Sequence, residues 1–327
     1  KTLLNFSKVI KNQNAFDGSD CCVGPYTIVP SLEVSNKLQF RDFVRSLSDN
    51  IDNEETLLWK LCVALFDNVV PNNVQKSIKS DNHFVWGKRK NIIEDGYRRE
   101  EISRWFIETN RKNVKSLLDD TSLELLKGKD AHRILSFLSG RQITSAIKEA
   151  IGFKNLKLAS VLTQVGGSSN IVKVQRLNTK TNSIKECNGN GVPARGGTDA
   201  AVAYQIQKQV SMWKESNDLS NEEYSGATKP GVSYITETRM NIWELIGGDI
   251  SSWGKGVYQY AKDWKQLLAL FFWYGNAGNW TIDEAVSFFE NNIEIHGKCP
   301  YPKYYKEESY DANKGPRDIA FFLLKMF

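Results

Sequence analysis

The sequence predicts an all-α protein, an irregular α-solenoid, and two observations carry that prediction. Apolar residues recur at helical spacing from residue 37 to Phe327, the period of helices that bury one face. Two short helices of this kind follow one another at 143–165 and are separated by a glycine turn. Tight antiparallel hairpins like this are the unit from which α-solenoids are stacked. No clean tetratricopeptide or ankyrin period accompanies them, so the stack is irregular.

Residues 1–36 read as an extended arm, with Tyr26-Thr-Ile-Val-Pro30 extended and Pro25 and Pro30 as punctuation. Phe40, Phe43, Val44 and Leu47 open the helical region at i, i+3, i+4 and i+7. Leu57, Leu58, Leu61, Cys62, Leu65 and Phe66 make a stripe too wide for one-sided burial. Residues 71–90 look polar and loose, and a long helix is expected over 97–118 around Trp105. Leu123, Leu125 and Leu126 begin another helix; Ile134, Leu135, Phe137 and Leu138 form one that stops at Gly140. The hairpin comes next. Ile143, Ala146, Ile147, Ala150 and Ile151 stop at Gly152, and Leu156, Ala159, Val161, Leu162 and Val165 stop at Gly166.

Residues 166–199 hold six of the 23 glycines and little helical pattern, so they read as a flexible insertion. Helices resume with Ala201, Ala203, Tyr204, Ile206, Val210 and Trp213, followed by a polar loop at 214–233. A helix at 235–246 ends at Gly247-Gly248, and a very apolar one runs from Tyr260 through Phe272 to Gly275. Thr281 and Glu284 form a capping box ahead of Ala285, Val286, Phe289 and Ile293. The last helix, Ile319–Phe327, is cut off mid-pattern, as a fragment boundary would leave it. The expected core comprises Leu58, Leu61, Trp105, Leu162, Trp264, Leu268, Phe272 and Phe289.

Composition narrows the function classes. Forty-three Lys and Arg against 38 Asp and Glu leave a net charge of +5, too mild to argue for nucleic acid. Sixteen Phe, 12 Tyr and 9 Trp supply enough buriable area to exclude wholesale disorder. The longest apolar run, Leu267–Tyr274, is eight residues, against about 20 for a membrane span. Residues 1–30 lack a signal-peptide pattern, and the start at Lys1 reads as a fragment or processed product. The five cysteines are odd in number and irregularly spaced, which suits free thiols in a reducing compartment. The sequons at Asn5 and Asn279 carry no weight there.

Motifs for chemistry are few. No G-x-G-x-x-G, Walker or G-x-S-x-G pattern occurs. His83, His132 and His296 are scattered; His296 and Cys299 have the spacing of half a zinc site, with no second pair to complete it. Cys62 lies in an apolar stripe and reads as packing. Asp119-Asp120 and Glu100-Glu101 read as solvated helix faces. Lys88-Arg-Lys90 and Arg98-Arg99 lie among Trp86, Tyr97 and Trp105, a mixture that can bind nucleic acid. Glu100 and Glu101 cancel that charge, and solvated side chains beside core aromatics are the simpler reading. No catalytic residue, cofactor or metal is expected.

One helix does suggest a binding face. Over 100–118, Ile102, Trp105, Phe106 and Thr109 share one side. Ile107, Val114 and Leu118 fall about 120–160° away from Ile102. A second stripe so far round needs its own cover, either another helix of the same chain or a partner.

Several segments together resemble a known family. They are Ile28-Val-Pro-Ser-Leu, Leu57-Leu-Trp-Lys-Leu-Cys-Val-Ala-Leu-Phe66, Arg99-Glu-Glu-Ile-Ser-Arg-Trp-Phe106 and Leu138-Ser-Gly-Arg-Gln-Ile-Thr-Ser-Ala146. Asn155-Leu-Lys-Leu-Ala-Ser-Val-Leu-Thr-Gln164, Trp243-Glu-Leu-Ile-Gly-Gly248, Asp263-Trp-Lys, Leu270-Phe-Phe-Trp-Tyr274 and Arg317-Asp-Ile-Ala-Phe-Phe-Leu-Leu-Lys325 follow in order. In that order they resemble the nucleoporin ninety-six family over about residues 28–327, and the divergent polar loops suggest a fungal member.

The resemblance implies a structural scaffold of the nuclear pore Y-complex with the fold of the ancestral coatomer element. Its helices run up a trunk, form a crown and return, so the solenoid folds back on itself. On that pattern 37–165 would be the first trunk helices and the crown, and 200–327 the returning trunk, truncated before a tail. The implied partners are a nucleoporin one-hundred-and-seven type subunit at the crown, met by Ile107, Val114 and Leu118, and a Sec-thirteen β-propeller. The propeller would meet the trunk and an upstream blade segment that is mostly absent here; other Y-complex subunits would meet the missing tail. Neither direct nucleic-acid binding nor membrane insertion is implied. Rival readings are a COPII coat subunit of the same fold and an enzyme with a cleft between helical layers.

Overall fold

A computed structural model of the chain describes residues 39–47, 54–71, 86–120, 129–166, 200–222, 237–249, 255–275, 280–292, 302 and 318–327. Every secondary-structure element among them is a helix. In order these are α1 (Phe40–Ser46), α2 (Glu54–Phe66), α3 (Trp86–Leu118), α4 (Lys129–Ser139), α5 (Ile143–Gly152) and α6 (Leu156–Gly166). Then come α7 (Ala200–Glu222), α8 (Glu237–Gly247), α9 (Lys255–Tyr258), α10 (Trp264–Tyr274), α11 (Ile282–Asn292) and α12 (Ile319–Met326). The predicted arm at 1–36, the helix start at Leu123 and all but the first residue of the 166–199 insertion lie outside the described residues.

Two helices outrun their sequence pattern. α3 begins at Trp86 rather than near 97, and α7 continues to Glu222, into the first part of the 214–233 stretch read as a polar loop. The first extension, 86–96, is rich in Lys and Arg and the second, 214–222, in Glu, Asn and Ser, both with little apolar period, and Lys, Arg and Glu are good helix formers without one. The apolar stretch from Tyr260 is also broken where periodicity joined it. Asp263 is an N-cap whose carboxylate accepts from Gln266 N, so α10 starts at Trp264. The Thr281–Glu284 box forms as read: Thr281 N donates to Glu284 Oε2 at 2.7 Å and Glu284 N to Thr281 Oγ1 at 3.2 Å.

Packing divides the chain into two units, Lys1–Trp105 with Ile319–Phe327, and Phe106–Asp318. In the first, α2 packs against both α1 and α12. Described helices from early and late in the sequence therefore meet within this unit. Leu61, Leu65, Ile102 and Trp105 fill this core, with Leu58 half-buried at its edge. Trp105 Nε1 donates to Leu57 O at 2.8 Å. Asp67, just past α2, accepts from the backbone N–H groups of Phe40 and Arg41, both at 2.9 Å, and so satisfies the first turn of α1.

In the second unit α4, α5 and α6 pack as successive neighbours, α7 packs on α8, and α8 on α4. Ion pairs tie three of these contacts: Arg133–Glu149 (α4 to α5, 2.6 Å), Lys214–Glu244 (α7 to α8, 2.6 Å) and Arg239–Asp130 (α8 to α4, 2.7 Å). α10 is the centre of this unit. All its residues except Lys265 are buried, which fits a helix apolar on every side. Trp264, Leu268, Phe272, Phe289 of α11 and Leu162 of α6 are buried here.

Candidate functional site

α3 carries the predicted partner face, and its second half lies in the second unit. Phe106, Asn110, Val114 and Leu117 are all buried, at 0%, 0%, 2% and 0% exposure. They follow one another at i, +4, +8 and +11, which is a single helical stripe. Val114 therefore belongs to the chain's own core and leaves the predicted partner face. It packs on the end of α4, where a Cβ at Gly140 would collide with Val114 Cγ2. Ile107 and Leu118 are half-buried at the margin of the stripe.

Asn110 explains why one stripe looked like two. A polar residue at its centre interrupts the apolar period, and periodicity then assigns the residues on either side to separate faces. Both amide atoms of Asn110 are buried and make no hydrogen bond among the described residues. That costs about 1–3 kcal/mol.

A buried polar ladder lies beside this stripe. His132 is 1% exposed; its Nε2 lies 2.8 Å from Leu117 O and its Nδ1 3.2 Å from Tyr260 Oη. A carbonyl only accepts, so Nε2 donates to it, and Nδ1 accepts from the phenol. Ser136 Oγ donates to His132 O, Gln266 Nε2 to Ser139 Oγ, and Tyr274 Oη to Leu138 O at 2.9 Å. Burial pushes the phenols of Tyr260 and Tyr274 well above their ordinary range, so both stay neutral donors. The ladder fixes α4 between α3 and α10. Each group is occupied by a structural bond, and none is presented to a substrate.

Other candidates resolve similarly. Burial raises the Cys62 thiol and the charge of Asp67 raises it further, the opposite of what a nucleophilic thiolate needs. Arg98 is a structural cation. It donates to the carbonyls of Ala64, Leu65 and Asp67 at the end of α2 and sits over the Phe327 ring, 5.4 Å from its centroid. Among the described residues no three His, Cys, Asp or Glu side chains converge as metal ligands. The His296–Cys299 pair and the side chains of Lys88-Arg-Lys90 lie outside the described residues. No described helix is long and apolar enough to cross a membrane.

What the sequence did not single out is a patch at the α5–α6 turn. Ile151, Phe153 and Leu156 are 52%, 40% and 67% exposed. Ile151 and Leu156 continue apolar stripes, and periodicity has no means of marking where the covering helix stops.

Comparison with known proteins points to one family. The family model described as Nuclear protein 96 (Nup96) matches residues 193–327. The nuclear pore complex protein Nup98-Nup96 of Dictyostelium discoideum is 25% identical over 280 residues, covering 83% of this chain and 11% of that protein. The nuclear pore complex protein NUP96 of Arabidopsis thaliana is 24% identical over 274 residues, covering 81% of this chain and 20% of that protein. The chain thus spans a fifth or less of the length of these relatives.

Proposed function

We propose that this chain is a Nup96-type protein, a non-enzymatic structural scaffold of the nuclear pore complex, working at the nuclear envelope in support of nucleocytoplasmic transport. The observation that carries this is the Nup96 match combined with described elements that are all helices, the first and last of which both pack on α2. Helical stacks of this kind supply surface for neighbouring subunits rather than a cleft for chemistry. The buried polar groups support the same reading, since they lock helices together.

The finer assignment is a Y-complex subunit. Its neighbours would be a nucleoporin one-hundred-and-seven type protein, met through a crown, and a Sec-thirteen β-propeller, met through the trunk. Ile107 and Leu118 are the α3 residues left to face the first partner. Co-purification of this chain with each candidate subunit tests the assignment. Ile107→Glu with Leu118→Glu is expected to abolish capture of the crown partner while the melting temperature holds. Val114→Glu serves as the contrast and should unfold the second unit. Capture unchanged by the Ile107–Leu118 pair would move the crown contact off α3. Failure to capture either candidate would remove the Y-complex assignment.

A further inference from the structure

The strongest unexplained feature is the α5–α6 tip. Four successive residues, Ile151 to Lys154, are exposed, and Leu156 and Lys157 follow on the same turn. A Cβ at Gly152 would meet nothing within 4 Å, so there is open space beside the turn. It is firmly built: Phe153 N donates to Glu149 O, Lys154 N to Ile151 O and Asn155 N to Ala150 O at 2.8–2.9 Å. Asn155 Oδ1 then caps α6 through Leu158 N. Lys154 holds φ at 60°, a conformation glycine adopts at no cost and lysine does not. The apex of the turn thus carries a cation at a position where conformation alone favours glycine.

Charge selects the kind of surface it fits. Lys148, Lys154 and Lys157 surround the apolar trio and are exposed. The one acidic residue within α5 and α6, Glu149, is held by Arg133 at 2.6 Å. We propose that this tip is a peripheral membrane anchor, with Ile151, Phe153 and Leu156 entering the interface of an anionic bilayer and the three lysines meeting lipid phosphates. Two further points favour a bilayer over a protein groove. The patch is only three apolar side chains, and the exposed charged residues of the turn are all lysines. Stable protein interfaces are broad, about 20–30 residues a side. Shallow insertion of apolar side chains about 5–10 Å into the headgroup boundary, with basic neighbours, is the usual interfacial mode, and it needs no membrane-spanning helix. The inference is independent of the scaffold reading.

Vesicle flotation of the 327-residue chain tests it. The chain is expected to float with vesicles containing about 30% phosphatidylserine and to stay below with neutral phosphatidylcholine vesicles. Salt at about 0.5 M should reduce partitioning at least about tenfold. Ile151→Ser with Phe153→Ser and Leu156→Ser should do the same, as should Lys148→Gln with Lys154→Gln and Lys157→Gln. Helical circular dichroism and melting temperature should hold in both triple variants, since the altered side chains are exposed, and Leu156→Ser alone provides a milder variant. Absence of flotation with anionic vesicles overturns the proposal. Flotation undiminished in the apolar variant also overturns it, because the contact would then lie elsewhere. If sedimentation shows that the apolar variant turns a dimer into a monomer while vesicles are ignored, the occupant is a second copy of this chain and the membrane reading falls.

Discussion

The turn after α4 and the turn after α5 are the same piece of backbone set in opposite surroundings. At the first, Gln142 N donates to Phe137 O and Arg141 N to Leu138 O. At the second, Asn155 N donates to Ala150 O and Lys154 N to Ile151 O. Both are the paired helix-ending bonds that place one residue in the left-handed region. Both put a basic residue there rather than glycine, Arg141 at φ 53° and Lys154 at φ 60°. The first turn is pressed against its own protein. Gly140 faces Val114, Arg141 lies 5.8 Å from the Trp273 ring centroid, and Tyr274 Oη donates to Leu138 O. The second has no such neighbours among the described residues and shows Ile151, Phe153 and Leu156 to solvent. Identical local geometry therefore says nothing about whether a turn supports the core or serves as a surface; the packed neighbours decide.

The sharpest way to break this comparison is to add one methyl group to each turn. Gly140→Ala should destabilise the protein by about 1–3 kcal/mol, because the Cβ has no space beside Val114. In a Val114→Ala background the same change should cost about 1 kcal/mol less, and denaturant titration of the four proteins reads the coupling. Equal costs in both backgrounds would mean that the close approach is not what requires glycine.

Alkaline stability gives the next largest difference. Tyr274 anchors the first turn, and burial raises its phenol above the ordinary value, as it does for Tyr260. The folded state therefore holds these protons more tightly than the unfolded chain, where tyrosine titrates near 10. Their contribution is fully present below about pH 10 and is lost as pH rises above it. The melting temperature is expected to fall above about pH 10, and Tyr274→Phe should flatten that fall at the cost of one hydrogen bond, about 1 kcal/mol at neutral pH. An unchanged alkaline slope in Tyr274→Phe would detach the phenol from the turn.

At the exposed turn the methyl experiment should change sign. Gly152 ends α5 in open space, so Gly152→Ala is expected to stabilise by about 0.5–1 kcal/mol through helix propensity and unfolded-state entropy. Smallest of all is release of the left-handed residues. Lys154→Gly should gain a few tenths of a kcal/mol, up to about 1. Arg141→Gly should gain less, because it also gives up the contact with Trp273. Thermal melts of the two variants side by side give the ordering, and a larger gain at Arg141 would remove any role for the ring.

These turns also mark how far the sequence could be read. Glycines at 140 and 152 correctly announced two helix ends, but in neither turn is glycine the left-handed residue. Arg141 and Lys154 are, and nothing in their side chains signals it. Likewise Arg98 looked like part of a basic patch until its three carbonyl acceptors were in place. Asp67, which completes the first turn of α1, lies 26 and 27 residues from the N–H groups it accepts. The partner face on α3 was misread at Val114 for a related reason, since the buried Asn110 disguises the stripe.

The sequence by itself determined the helical class, the α5–α6 hairpin, the Thr281–Glu284 cap, the apolar helix at α10 and the family resemblance. Each of these rests on residues within about four positions of one another, or on an ordered series of such segments, and linear patterns carry that kind of information. Only the tertiary structure decided which apolar residues are covered. It took Val114 into the core, left Ile107 and Leu118 at its margin, and exposed Ile151, Phe153 and Leu156. Burial depends on atoms brought in from distant parts of the chain, and the period of a helix is the same whether or not they arrive.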